Sequence, residues 1–167
     1  MFDTLIKNGK LIDGRKVEVA LEKGVIKAVA AEINEPAREV IDLSGNSYLS
    51  AGWIDDHVHC YEKMNLYYDY PDQIGVQKGV TTVIDAGTTG AENIRDFYQL
   101  TKSVKTNVYA LMNISKWGIV EQDELADLTK IQEDLVRAAL AELPEFIVGI
   151  KARMSKTVVG REWASRH

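Results

Sequence analysis

The pattern of apolar and polar residues changes near Gly52, and the two patterns predict different architectures. Before Gly52, short stretches such as Val17 to Leu21 alternate with a period of two, which is typical of half-buried β-strands. Turn-forming dipeptides, among them Asp13-Gly14 and Lys23-Gly24, separate these stretches. Residues 1–50 are therefore predicted to form a small β layer.

After Gly52, apolar β-branched runs alternate with segments of helical periodicity. Strands are expected near residues 53–59, 80–86, 106–113 and 146–151. Helices are expected near residues 70–78, 92–103 and 123–143, the last being the clearest. Strands that alternate with helices form βαβ units, so this part of the chain is predicted to be an α/β fold with a parallel sheet.

The composition narrows the class of protein. The chain has 167 residues, of which 46% are hydrophobic, and this is enough apolar material to bury a core. Its net charge of −5, without clusters of Lys and Arg, argues against a nucleic-acid surface. No apolar run approaches the roughly 18 residues of a membrane span, and the first residues are too polar for a signal peptide. These features predict a cytoplasmic protein that binds neither nucleic acid nor a membrane.

The motif His57-Val58-His59 carries the main chemical signal. Residues two apart on a strand project to the same face, so the two imidazoles are expected side by side. Neutral imidazole is a common ligand of zinc and related divalent ions, although satisfied or exposed histidines would give the same pattern. Asp55 shares this face by the same alternation; it could orient an imidazole N–H, or it could be satisfied by backbone donors.

Residues 51–59, Ala51-Gly52-Trp53-Ile54-Asp55-Asp56-His57-Val58-His59, resemble the signature of the amidohydrolase superfamily. Ala51 stands where that signature has a proline. Residues 3–14 resemble the opening strands of the small β-sandwich that flanks the barrel in that superfamily. Three further segments are similar to its amidohydrolase/deacetylase group, near dihydroorotases and proteins labelled adenine deaminase: Ala86-Gly87-Thr88-Thr89-Gly90-Ala91, Asn113-Ile114-Ser115 and Gly149-Ile150-Lys151-Ala152-Arg153.

The resemblance implies a partial (β/α)8 TIM-type barrel of about four βα units in residues 51–160, preceded by part of a β-sandwich in residues 1–50. It also implies that Lys151 reacts with carbon dioxide and that the resulting carbamate bridges two divalent ions, with zinc the first expectation. His57 and His59 would bind one of these ions. From the residues alone, the favoured interpretation of Lys151 is a strand-terminal lysine that reaches solvent.

Polar and aromatic residues follow the predicted strands, and the carboxyl ends of barrel strands form the active face. Tyr67 and Tyr68 after the first strand, and Asn113 and Ser115 after the third, are therefore candidate contacts of a small-molecule substrate. Ordinary loop polarity and packing would explain the same residues. Asp85, Thr88, Thr89 and Lys116 lie beyond strand ends in the same way.

The resemblance implies a metal-dependent hydrolase that cleaves an amide or ester of a small molecule by metal-activated hydroxide, with deacetylation the first expectation. A dihydroorotase-like cyclic amidase and a purine (adenine) deaminase are the alternatives. A barrel needs roughly 250 residues, and the part after Gly52 offers about half of that. The only other histidine is His167, in a tail (161–167) that diverges from the family.

We therefore expect a truncated chain that is inactive alone. A hypothesis of another class is a non-catalytic fragment, partly folded or paired with copies of itself as a homo-oligomer. A metal-free binding module is disfavoured by the intact histidine pair and Lys151.

Overall fold

The structure is a computed structural model that describes the backbone of residues 1–163 and the side chains of residues 1–160. The predicted divergent tail therefore has no described side chains, and His167 lies outside the described residues. The chain divides into two compact units, Met1–Ala51 and one that begins at Gly52. Within the described part, none of the helices is both long enough and apolar enough to cross a membrane.

The first unit is one four-stranded sheet. Its strands are β1 (Phe2–Lys10), β2 (Lys16–Glu22), β3 (Val25–Ala30) and β4 (Ala37–Asp42), in the order β3-β2-β1-β4. The hairpin of β2 and β3 turns at Lys23 and Gly24, whose φ angles of 52° and 74° match the primed turns that suit twisted strands. After β4 the chain makes one more β contact, an isolated bridge between Tyr48 and Lys10.

The second unit is built on a parallel sheet, as the alternation predicted. Its strands are β5 (Trp53–Val58), β6 (Val80–Asp85), β7 (Asn107–Asn113) and β8 (Ile147–Lys151), in the order β5-β6-β7-β8. Its helices are α1 (Pro71–Ile74), α2 (Ile94–Thr101), α3 (Glu133–Glu142) and α4 (Lys156–Trp163), the last broken at Gly160. Because all neighbouring strands are parallel, their carboxyl ends lie along one edge of the sheet.

The core of this unit lies between the sheet and its helices. Ile94 and Phe97 are fully buried on α2, and they pack with Val83 of β6 and Met112 of β7. The Phe97 ring meets that of Phe146 edge to face, with centroids 5.5 Å apart, a geometry that aromatic pairs favour. This packing fixes the strands whose ends carry the candidate site.

The helix predicted over residues 123–143 is wrong in its first half, since α3 begins only at Glu133. The Asp127 carboxylate accepts hydrogen bonds from the backbone N–H and the hydroxyl of Thr129, which favours a turn. Ile131 pairs with Ser115 in an isolated bridge, and its backbone N–H ends a short 3-10 helix at Leu128–Lys130 by donating to the Leu128 carbonyl, so Ile131 lies before α3. The buried Leu125 packs against α4, so its apolar position in the pattern has a tertiary cause.

Candidate metal centre

The histidine pair and Lys151 lie at the same edge of the parallel sheet. His57 belongs to β5, His59 follows its last residue, and Lys151 is the last residue of β8. The centroids of the two imidazole rings are 5.9 Å apart, and the rings meet at 79°. The strand alternation therefore brings the two rings side by side, as two ligands of one ion require.

The surroundings of His59 favour its neutral form. Burial lowers the pKa of the half-buried imidazole, and the negative charge of Asp85 opposes this shift. The positive charges of His57, Lys151 and Arg153 lower the pKa of His59 further. A neutral imidazole is the form that binds a metal ion.

A buried carboxylate connects β6 to the chain beside His59. Asp85 is fully buried, and its Oδ2 atom accepts the backbone N–H of Cys60 at 2.8 Å and the Thr88 hydroxyl at 2.7 Å. Its Oδ1 atom accepts the backbone N–H of Thr88 at 2.7 Å. The Nδ1 atom of His59 lies 2.7 Å from the same Thr88 oxygen. Burial raises the pKa of Asp85, and the hydrogen bonds it accepts oppose that rise.

The stem of Lys151 lies directly against Gly87. A Cβ atom built on Gly87 would be only 2.7 Å from both Cβ and Cγ of Lys151, far inside van der Waals contact. Gly87 also has a φ of 85°, which residues with a side chain rarely adopt. Glycine at this position therefore opens the space through which the lysine stem passes.

A cleft of about 430 Å³ opens beside His59. Its walls include Asp55, Tyr67 and Tyr68, three residues that the sequence singled out. The Tyr67 ring lies 5.4 Å from the His59 ring between centroids, at an angle of 34°. A cleft of this size suits a small molecule.

Arg153 and Glu124 form an ion pair that the sequence did not predict. The Nε and Nη2 atoms of Arg153 donate to the two Glu124 oxygens at 2.9 Å and 2.7 Å, and Glu124 is buried. This pairing, supported by Tyr67, raises the pKa of Arg153. Tyr67 also accepts a hydrogen bond from Gln122. Arg153 stands in a segment that resembled the family, but nothing in the sequence indicated Glu124 as its partner.

Asn113 and Ser115 are both buried, and their polar atoms have partners in the chain. The Asn113 amide donates to the carbonyl of Gly87 and accepts the backbone N–H of Ser115, while the Ser115 hydroxyl donates to the carbonyl of Gly118. These bonds order the loop after β7. Their role as substrate contacts stays a prediction.

Asp55 accepts the backbone N–H of His57 at 3.1 Å, which is the backbone-donor alternative of its two expected roles. Its role in orienting an imidazole stays a prediction.

The donor set of this edge suits a divalent ion. Within residues 1–160, no three His, Cys, Asp or Glu side chains group closely enough to hold an ion by themselves. Two imidazoles and the oxygens of a carboxylated Lys151 would provide the nitrogen and oxygen ligands that zinc accepts. The neutral His59 and the open passage for the Lys151 stem both fit this donor set.

Comparisons with known proteins gave close relatives, although a scan against protein-family models gave no match. A protein of Enterococcus faecalis named deacetylase is 66% identical over 159 residues, which are 95% of this chain and 43% of that protein. A protein of Brucella anthropi, also named deacetylase, is 34% identical over 142 residues, which are 82% of this chain and 35% of that protein. The chain thus spans less than half the length of these relatives.

Solved structures match over nearly the whole chain. One described as an adenine deaminase has 65% sequence identity and a TM-score of 0.93, and covers 97% of this chain and 44% of its own. One described as a dihydroorotase has 28% identity and a TM-score of 0.87, and the match covers 96% of this chain and 45% of the dihydroorotase chain. The parallel sheet and its helices are thus a partial (β/α)8 barrel, preceded by the β layer.

Proposed function

Since this chain belongs to the amidohydrolase superfamily, we propose that it carries one side of the metal centre of a hydrolase. In this proposal His57 and His59 would hold one divalent ion, with zinc the first expectation, and carboxylated Lys151 would bridge two ions. The observation that supports the proposal is that the paired histidine rings and Lys151 stand at the carboxyl ends of β5 and β8, along the same edge of the parallel sheet.

In this proposal the metal ions supply the chemistry, and the residues of the chain bind and position the ions and the substrate. A bound divalent metal supplies the Lewis acidity with which water attacks a carbonyl near neutral pH. The chain keeps His59 neutral and holds the Lys151 stem against Gly87. The cleft beside His59, walled by Tyr67 and Tyr68, would receive the amide or ester of a small molecule.

Deacetylation is the reaction that the relatives favour. The protein with 66% identity and two others with 34% and 33% identity are all named deacetylases. Purine deamination is the second candidate, because the structure with 65% identity is described as an adenine deaminase. Dihydroorotase-like ring opening is the third, on the likeness to the dihydroorotase structure. The small-molecule partner, the possible homo-oligomer and the cytoplasmic location stay predictions.

We further propose that the chain alone is inactive, because three ligands from half a barrel leave the coordination of two ions incomplete. The test uses the chain itself and a chimera, in which this chain replaces the matching 43% of the Enterococcus faecalis relative. We expect the chimera to bind about two divalent ions and to release acetate from N- or O-acetylated small molecules. The unmodified relative is the positive control.

Each of the other outcomes corrects a different part of this proposal. Acetate release by the chain alone would contradict its inactivity. Ammonia release from adenine by the chimera, without acetate release, would replace deacetylation by purine deamination. A folded chimera that binds no metal and hydrolyses nothing would overturn the proposal in favour of a non-catalytic fragment.

The packing of the Lys151 side chain against Gly87 predicts that a side chain at position 87 weakens metal binding, and Gly79 provides a matched control. Gly87→Ala and Gly79→Ala both place a side chain at a positive φ, 85° and 83°, which costs about 1–2 kcal/mol in each case. The space around Gly79 is open, whereas a methyl group on Gly87 would collide with Lys151. In the chimera, we expect Gly87→Ala to lower zinc affinity by about 10- to 100-fold and Gly79→Ala to leave it unchanged.

Isothermal titration with zinc measures the metal affinity of each variant, and thermal unfolding measures the loss of stability that the strained backbone causes in both. Equal zinc affinities of the two variants would show that Gly87 does not position Lys151.

A further inference from the structure

We infer that the Thr88 hydroxyl determines which nitrogen of His59 is free to bind metal, and that Asp85 acts through this hydroxyl. The inference rests on the proposed function, because it assigns a positioning role beside a proposed ligand. Its physical basis is a count of the protons shared by the buried Asp85 and Thr88 side chains and the half-buried His59 ring.

The Thr88 hydroxyl has one proton, and it donates that proton to Oδ2 of Asp85 at 2.7 Å. An ionised Asp85 carboxylate can only accept, and the three hydrogen bonds that it receives, from the N–H of Cys60 and from the N–H and the hydroxyl of Thr88, favour this ionised form against the effect of burial. The Thr88 oxygen can therefore only accept from the Nδ1 atom of His59, which lies 2.7 Å away. His59 then carries its proton on Nδ1, and the lone pair of Nε2 is free for a metal ion.

The hydrogen bonds among Asp85, Thr88 and His59 are ordered well enough to fix the His59 proton on Nδ1. Asp85 and Thr88 are fully buried, so water does not compete for their hydrogen bonds. The N–H of Cys60, the residue after His59, fixes the carboxylate that receives the Thr88 proton. The same carboxylate thus orders both the backbone next to His59 and, through Thr88, the His59 ring. Groups that orient a ligating histidine in this way commonly change metal affinity about 10- to 100-fold.

A purely structural role for Thr88 gives different expectations. Its backbone N–H would still donate to Asp85 after loss of the hydroxyl, so the loop after β6 would keep that hydrogen bond. Only the proton on His59 and the affinity for metal would change. Thr88→Val removes the hydroxyl at nearly constant shape, and Thr88→Ser keeps the hydroxyl and serves as the matched control.

The first measurement is the tautomer of His59 in the metal-free chain, read from the nitrogen-15 chemical shifts of its imidazole. We expect the Nδ1–H tautomer in the unmodified chain and in Thr88→Ser, and a mixture in Thr88→Val. The Nε2–H tautomer in the unmodified chain would overturn the inference, and this result needs no variant to fold.

The second measurement is the affinity of the chimera for cobalt(II), followed by its visible absorption. We expect Thr88→Val to bind cobalt about 10- to 100-fold more weakly, and Thr88→Ser to recover most of the affinity. Equal affinities of the folded Thr88→Val variant and the unmodified chimera would overturn the inference. If no form of the chimera bound cobalt or zinc, the proposed function itself would fail, and the two failures are thus distinguishable.

Discussion

Replacing Lys151 with alanine in the chimera is expected to lower kcat/KM for acetate release by about 10³-fold. The proposed carbamate would supply the oxygens that bridge the two ions, and stabilisation of developing charge by metal is worth several kcal/mol. Lys151 is the last residue of β8, so its truncation removes the proposed ligand while the strand keeps its backbone pairing to β7. The rate of acetate release from the best acetylated substrate measures the effect.

A small carboxylate can test whether oxygens at this position carry the effect. Formate or propionate added to the Lys151→Ala chimera should occupy the space left by the side chain and restore part of the activity and of the metal content. Lys102→Ala is the control, because its exposed amine lies over the Tyr98 ring, 4.5 Å from the centroid. Full activity of the Lys151→Ala variant, or loss without any rescue, would argue against a bridging carbamate.

His57→Ala and His59→Ala, made separately in the chimera, are each expected to weaken zinc binding by more than about 100-fold. Even groups that only orient a ligand change affinity by 10- to 100-fold, so loss of the ligand itself should cost more. The two rings lie side by side at 5.9 Å between centroids, and each variant leaves the other ring in place. Competition with a chelating dye of known affinity measures the zinc dissociation constant.

Cys60→Ala is the control for the histidine variants, since thiolate is also a good zinc ligand. Cys60 is buried and its pKa is raised by that burial, so its thiol is kept in the protonated form that binds metal poorly. We expect Cys60→Ala to keep its zinc affinity. A loss in Cys60→Ala with none in the histidine variants would place the ion on the thiol.

The parallel sheet was predictable from sequence because its signal is local. Val80 to Asp85 is an apolar, β-branched run, and such runs are typical of strands buried in parallel sheets. The false first half of the helix at 123–143 shows the limit of this approach. Leu125 and Ile131 have helical spacing, but one packs against α4 and the other pairs with Ser115. Apolar spacing does not distinguish these contacts from one face of a helix.

Within the candidate site, strand alternation predicted the histidine pair and the family resemblance predicted Lys151, whereas the contacts that these residues make depend on tertiary structure. The proximity of Gly87 to Lys151 joins the ends of β6 and β8, which are far apart in sequence. The pairing of Glu124 with Arg153 likewise links distant loops. Thr88 could be placed beyond a strand end, but its bond to His59 follows only once β5 and β6 are adjacent.

The metal content of the chimera shows directly whether His57, His59 and Lys151 together hold the metal ions. Elemental analysis should be applied to the chimera and to its His57→Ala, His59→Ala, Lys151→Ala triple variant, after both are shown to fold. We expect about two divalent ions in the chimera and almost none in the triple variant. Equal metal content in the two proteins would contradict the assignment of these three residues to the metal centre.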